Sequence, residues 1–217
     1  MRTLCVSVGF CVSVVLGTMP AGAFEPTVGY PDVQRAFLQE DFTAVTQLAQ
    51  TFLLQSPGAP EAPRVWLWLV LSYDRLSQAN EALQELDRLK QRLRSKDPVW
   101  PEVLCWEGDI SRRALQMPRA KAAYGKLLKQ SPDSMWAAQA ELGMGLIELH
   151  HQAFAAAIPH FRAVAARGDV ETAAFQDARL FEGICYLQLK RHDEAAALFE
   201  QLLAGLRDPN AIAQAAF

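Results

Sequence analysis

The stretch LQLKRHDEAAALFEQLL, Leu187–Leu203, decides the fold of this chain. A short polar turn, Lys190–Asp193, precedes a small residue, Ala195, and the aromatic Phe199 follows four positions later. Residues four apart lie on the same face of an α-helix. The stretch therefore predicts a helix that begins after a turn and presents a small and a large apolar side chain on one face.

The same pair of positions recurs along the chain every 37 or 38 residues. The successive pairs are Val45 and Ala49 (the weakest), Ala82 and Leu86, Ala120 and Tyr124, Ala157 and Phe161, and Ala195 and Phe199. The residues that stand twelve positions before each pair are Val33, Val70, Gly108, Gly145 and Gly183. The apolar residues that stand seven positions after its first member are Phe52, Leu89, Leu127, Val164 and Leu202. A period held over five copies predicts a repeat protein, in which each copy is one supersecondary unit.

Each copy predicts two amphipathic helices joined by a polar turn. In the second copy Trp66, Leu69, Val70 and Tyr73 follow the spacing of a helix that buries one face. Pro159 falls about one turn into the second helix of the fourth copy, where an interior proline costs ~3 kcal/mol. We expect a kink or a late helix start there.

These motifs resemble the tetratricopeptide repeat family, whose pattern is W-x2-L-G-x2-Y, then A-x3-F, then P. The matching residues are Trp66, Leu69, Tyr73, Ala120, Tyr124, Pro132, Gly183, Tyr186, Ala195 and Phe199. The resemblance implies an all-α, right-handed α-solenoid of about five helix-turn-helix repeats. We place the repeats at 26–62, 63–100, 101–137, 138–175 and 176–212, with 213–217 starting a further or capping helix. The period exceeds the family's usual length of about 34 residues, so we expect longer helices or loops.

The N-terminal residues 1–23 indicate a cleaved secretory signal. The apolar run Leu4–Leu16 is followed by the helix breakers Gly17 and Pro20 and by the small residues Ala21–Ala23, a signal-peptidase site. The run is shorter than the ~20 residues of a membrane span, so we expect contact with the membrane only through an uncleaved signal. The signal predicts export across the inner membrane, into the periplasm.

The formal net charge of −3 argues against a nucleic-acid binder. Outside the signal only Cys105 and Cys185 remain, and both lie in apolar helical patterns. We therefore expect buried free thiols, although disulfides are common in exported proteins.

No catalytic or cofactor motif stands out. The sequence lacks a phosphate-binding loop and a Cys-x2-Cys pair, and neither Glu102 nor Glu107 lies in a catalytic-looking loop. His150, His151 and the nearby His160 lack the spacing of a metal-ligand set. We expect no enzymatic activity, no cofactor and no metal.

Stacked repeats leave a concave groove lined by their first helices. The family resemblance implies that this groove binds a peptide or protein segment. We predict that it is lined by Phe37, Arg64, Leu67, Leu71, Asp74, Arg75, Glu102, Cys105, Asp109, Arg112, Arg113, Leu142, Leu146, Leu149, Leu180, Ile184 and Leu187. The stripe is charged in its middle and apolar at its C-terminal end. This pattern suits a segment with hydrophobic anchors and a carboxylate, which arginine binds bidentately.

Two alternatives stay open for these residues. Asp109 can instead pair with Arg112 and Arg113 on its own helix, as an ordinary surface salt bridge. The three leucines from Leu142 to Leu149 can instead pack in the core.

The sequence thus predicts a non-enzymatic protein–protein interaction scaffold of the bacterial cell envelope. The alternative is a structural spacer or oligomerisation module, or the N-terminal part of a larger envelope protein. The apolar AIAQAAF at 211–217 lacks the polar face of a capping helix. We therefore expect this end to dock on something, with a homo-oligomer as one outcome.

Overall fold

The regular elements of the chain are α-helices throughout the residues that the computed structural model describes, 27–167 and 173–206. The helices are α1 (Tyr30–Leu38), α2 (Phe42–Gln55), α3 (Ala62–Arg75), α4 (Ala79–Arg92), α5 (Trp100–Arg113), α6 (Met117–Gln130), α7 (Ala137–His150), α8 (Phe154–Ala165), α9 (Ala173–Gln188) and α10 (His192–Leu206). None of these described helices has the length and hydrophobicity that crossing a membrane requires. The predicted signal, 1–23, and the predicted further helix, 213–217, lie outside the described residues.

The helices form five antiparallel pairs, and each helix packs against the next along the chain. First helices also contact the first helices of neighbouring pairs, as α5 does with α7 and α7 with α9. No two second helices within the described ranges make a comparable contact. Because first helices approach one another more closely, the stack curves with the first helices on its inner side. This arrangement confirms the predicted all-α solenoid.

Proline explains where the first helices begin. The helices α3, α5, α7 and α9 start one to three residues before the predicted boundaries at 63, 101, 138 and 176. Pro63 and Pro101 occupy the first turns of α3 and α5. Proline is accepted in the first turn, where its missing N–H has no intrahelical partner. Each of these two helices therefore starts just before its proline.

Helix α8 runs through Pro159. It begins at Phe154, directly after a turn of the same length as the other turns within pairs, so the predicted late start was wrong. A proline at this position removes the bond to the carbonyl of Ala155. The helix persists because Ala157, Ile158 and Phe161 are all buried around the proline.

The turn inside each pair has the same backbone geometry. Its middle residue has a positive φ of 56–61°, and these residues are Glu40, Ser77, Leu115, Gln152 and Lys190. The following N–H bonds back over the end of the first helix, as Gln116 N–H does to the Ser111 carbonyl at 2.8 Å. Such left-handed residues commonly end helices by satisfying their last carbonyls. The period of the sequence therefore reappears in the backbone.

The small residues of the repeat let the two helices of a pair close on each other. The Tyr124 ring of α6 lies between Gly108 of α5 and Gly143 of α7. A Cβ atom on Gly108 would lie 2.2 Å from Tyr124 Cε1, and one on Gly143 would lie 2.3 Å from Tyr124 Cζ. Such distances are far inside van der Waals contact. The ring therefore requires glycine on both sides.

Later pairs use the same fit between glycine and an aromatic ring. Gly145 faces Phe161 and Gly183 faces Phe199, each with 2.5 Å between an added Cβ and the ring. The first two pairs lack the glycine: Val33 and Val70 stand in its place, and the slots of the aromatic ring hold the smaller Ala49 and Leu86. Phe199 of the opening stretch thus packs against the glycine that stands sixteen residues before it, Gly183.

The structure confirms the two buried free thiols. Burial raises the pKa of Cys185 to about 11, and the charge of Glu182 adds to the effect. Burial raises the pKa of Cys105 further, with Asp109 and Glu102 as lesser causes. Both thiols are therefore protonated and unreactive at neutral pH.

Candidate partner-binding groove

The inner face of the solenoid carries most of the predicted groove residues. Those that are partly or fully exposed are Phe37, Arg64, Leu71, Asp74, Arg75, Glu102, Arg112, Arg113, Leu146, Leu149, Leu180, Ile184 and Leu187. Leu67 and Leu142 are buried in hydrophobic clusters, and Cys105 is buried as well. These three residues do not line a surface, because a neighbouring unit covers them. For Leu142 the core alternative is correct.

Ion pairs join the charged groove residues across neighbouring units. Arg64 of α3 donates to both carboxylate oxygens of Glu102 on α5, at 3.0 and 3.1 Å. Arg113 of α5 donates to Asp74 of α3 at 2.7 Å. These pairs bridge two first helices, so they fix the spacing of units two and three.

Asp109 is buried and does not form the predicted salt bridge on its own helix. The Tyr124 hydroxyl donates to its Oδ1 at 2.5 Å, and the Gln139 amide donates to its Oδ2 at 3.3 Å. Burial raises the pKa of Tyr124 far above the ordinary value of 10.0, and the Asp109 charge raises it further. Tyr124 therefore keeps its proton and remains the donor. Arg112 lies beside the same hydroxyl, with its Nε buried and lacking a hydrogen-bond partner.

A first pocket, of about 370 Å³, brings predicted arginines and leucines together. Its lining residues are Arg112, Arg113, Leu115, Met117, Leu146, Leu149 and His150. We call it the arginine–leucine pocket. Leu115 and Met117 were missed by the sequence reasoning, because they come from the turn after α5 and from the start of α6, not from a first-helix stripe. Leu115 is 71% exposed.

A second pocket, of about 420 Å³, opens between α5, α7 and the end of α8. It is lined by Trp106, Asp109, Met135, Trp136, Ala138, Gln139, Val164, Arg167 and Ala174. We call it the tryptophan pocket. Only Asp109 was predicted, although one signal was available: Trp106 stands 38 residues after Trp68. Trp68 stacks on Tyr30 and Phe37 of the preceding first helix, at centroid distances of 5.3 and 5.2 Å.

Buried carboxylates outside the groove were also missed. Glu107 occupies the repeat position that Leu69 holds in the second copy. Its carboxylate accepts hydrogen bonds from Lys90 at 2.6 Å and from Arg119 at 3.0 Å. Glu182 takes the equivalent slot in the fifth copy. It is paired with Arg162 at 2.9 Å and Arg179 at 3.0 Å. These carboxylates connect helices, and their charge is balanced by the paired cations.

Part of the basic run at 87–97 belongs to this packing. Helix α4 ends at Arg92, so Arg94 and Lys96 lie in the following loop and not in the helix. The Arg92 guanidinium lies 4.6 Å from the centre of the Trp66 ring, a cation–π contact. Arg92 therefore takes part in the packing of α3 against α4.

Comparison with known proteins supports the assignment of a helical repeat fold. The family model for the tetratricopeptide repeat matches residues 142–211. A tetratricopeptide repeat protein from Parabacteroides merdae ATCC 43184 aligns with a TM-score of 0.68 and 17% identity, over 82% of this chain and 66% of the other. MamA from Desulfovibrio magneticus RS-1 aligns with a TM-score of 0.68 and 14% identity, over 82% and 92%. No curated protein matches the chain.

A third similar structure is that of a putative kinesin light chain. The repeats of a putative kinesin light chain from Podosopora anserina align with a TM-score of 0.65 and 13% identity, over 82% of this chain and 93% of the other. At these identities the likeness concerns the fold. The fold and its inner groove define an α-solenoid scaffold of helical pairs.

Residues 142–211 of the chain match the tetratricopeptide repeat family. They include most of α7 and the helices α8 to α10, and helical pairs of the same kind make up the described residues before them. The fold is that of a protein–protein interaction scaffold.

Proposed function

We propose that this protein is a non-enzymatic scaffold that binds a protein or peptide segment in the groove of its first helices. The arginine–leucine pocket carries the proposal. There Arg112 and Arg113 of α5 stand beside Leu146 and Leu149 of α7, so a hydrophobic anchor and a carboxylate fit side by side. Solvent-exposed leucines further along the groove, Leu180 and Leu187, extend the apolar surface.

The positions of the two arginines favour a carboxylate-bearing segment. Arg113 is engaged by Asp74 at 2.7 Å, which holds its guanidinium at the edge of the groove. Arg112 lines the same pocket, and its side chain is partly exposed there. A partner carboxylate at this pocket supplies acceptors close to both side chains.

The groove proposal predicts that reversing these charges removes partner binding. The double substitution Arg112→Glu and Arg113→Glu places negative charge where the partner carboxylate docks, so affinity should fall by about tenfold or more. Partners are captured from envelope extract, identified by mass spectrometry and then titrated as purified proteins by calorimetry. Circular dichroism checks that the variant remains helical.

A matched control is available on the loop after α4. The substitutions Arg94→Glu and Lys96→Glu change the net charge by the same amount at two exposed residues outside the groove. The control should bind as the unaltered protein does. Equal binding by both variants would refute the groove, and an absence of captured protein with either would favour the spacer function.

We further propose that the scaffold acts in the bacterial cell envelope after export. The proposal rests on the apolar run and the small residues of 1–23. The expected result is that protein recovered from the periplasmic fraction begins at Phe24. Intact mass spectrometry of that fraction provides the measurement, and a cytoplasmic protein that retains residues 1–23 would contradict the proposal.

A further inference from the structure

The tryptophan pocket holds a carboxylate whose charge is met by neutral groups. Asp109 is 5% exposed, and its oxygens accept from the Tyr124 hydroxyl and the Gln139 amide. None of the ion pairs within the described ranges includes Asp109. The Gln139 bond is long, at 3.3 Å, so Oδ2 has acceptor capacity left. A buried charge without an opposite charge is unfavourable, and the site therefore favours a cation.

The walls of the pocket suit a cation as well. Trp106 and Trp136 line it from α5 and from the residue before α7, and Met135 adds a polarisable thioether at the rim. An indole face attracts a cation within about 6 Å of its centre, and tryptophan does so better than other aromatic residues. One carboxylate and two indoles in one pocket favour a positively charged group over a neutral one of the same shape.

Two arginines of the protein lie near this pocket but form no ion pair with Asp109. Arg112 interacts with the Tyr124 hydroxyl, which itself donates to Asp109. Arg167 lines the rim, and its Nη1 donates to the Pro132 carbonyl at 3.0 Å, outside the pocket wall. Both act against a bound cation at longer range, whereas Asp109 acts in direct contact.

We propose that the tryptophan pocket receives a lysine or arginine side chain of the segment bound in the groove. This inference rests on the proposed function and specifies its partner. Asp109 and Arg112 stand three residues apart on α5 and line the two pockets, so the pockets are separated by about one helical turn. The bound segment accordingly carries a basic residue and a carboxylate close together, each facing the opposite charge.

Tryptophan indole signals in an NMR titration test the pocket directly. The probes are a blocked arginine amide, a blocked lysine amide and a blocked citrulline amide, since citrulline has the shape of arginine without its charge. Trp106 and Trp136 should shift on adding the two cations and not on adding citrulline. Trp66, Trp68 and Trp100 lie outside the pocket lining and serve as internal controls.

The substitution Asp109→Asn removes the charge and keeps an oxygen for the Tyr124 hydroxyl. It should weaken arginine binding by about tenfold or more, whereas the matched substitution Asp193→Asn, at an exposed residue of α10 outside both pockets, should leave it unchanged. If Asp109→Asn fails to fold, Trp136→Leu replaces it and should weaken binding several-fold by removing one indole face.

Three results overturn the inference: equal shifts with arginine and citrulline, no saturable shift with either cation, or unchanged affinity in the folded Asp109→Asn protein. None of them touches the groove proposal, because that proposal is measured separately at Arg112 and Arg113. The charge reversal at the two arginines could abolish partner binding while the Trp106 signal does not respond to either cation. That result would support the groove proposal and refute the cation-binding role of the tryptophan pocket.

Discussion

Replacing Gly143 with alanine is expected to destabilise the protein by about 1–2 kcal/mol. The new methyl group would lie 2.3 Å from Tyr124 Cζ, and the ring cannot retreat because Gly108 of α5 touches its other side. Overpacking a filled core costs about 1–3 kcal/mol and sometimes more. The loss outweighs the gain of about 1 kcal/mol that alanine brings over glycine inside a helix. Urea unfolding followed by circular dichroism measures the difference.

The chain provides a control of opposite sign. Gly125 lies inside α6 on its exposed face, and an added Cβ there meets nothing within 4 Å. Gly125→Ala should therefore stabilise the protein by about 0.5–1 kcal/mol. Gly143→Ala should cost less in a Tyr124→Leu background than in the unaltered protein, because the smaller side chain makes room. A stabilising Gly143→Ala would show that the ring is not confined as described.

Replacing Lys90 with methionine is expected to cost about 3 kcal/mol. Glu107 is buried, and Lys90 of the preceding unit approaches it to 2.6 Å. Removing one member of a buried ion pair leaves a charge that has lost most of its compensation, which typically costs 3–5 kcal/mol. Arg119 remains at 3.0 Å, so we expect the lower end of that range. The measurement is again urea unfolding.

The double substitution Glu107→Leu and Lys90→Met should cost much less than the sum of the single ones. It returns the slot to the apolar residue that Leu69 provides in the second copy, and Arg119 keeps Asp87 at 2.6 Å. The exposed pair of Arg35 and Asp32 is the control, where Arg35→Met should cost less than about 1 kcal/mol. Additive single effects, or a Lys90→Met cost equal to that control, would refute the coupling.

Much of the candidate site was accessible from the sequence because groove positions recur with the period of the repeat. Arg112, Arg113, Leu146 and Leu149 were all predicted and line one pocket. The prediction placed Leu67 in the groove as well, where the structure buries it. A helical stripe gives the direction of a side chain but not the distance to the next helix, so it cannot separate a groove residue from one covered by its neighbour.

The ion pairs of the groove could not be predicted, since they join residues about one repeat apart. Arg64 reaches Glu102 and Asp74 reaches Arg113, each across two first helices, whereas sequence spacing suggested pairs within one helix. The tryptophan pocket was missed for a related reason. Its walls combine a first helix, the loop before the next one and the end of a second helix, which meet only after the units stack.

The sequence by itself determined the all-α class, the five helical pairs and the burial of the two thiols. These properties depend on local periodicity: each copy repeats the same small, large and apolar positions, and each helix forms from contacts three and four residues apart. The tertiary structure alone decided which charges pair and where the surface opens into pockets. Those features depend on the angle and distance between successive units, which are set by the fit of Tyr124 and its equivalents against glycine, and by the carboxylates buried between helices.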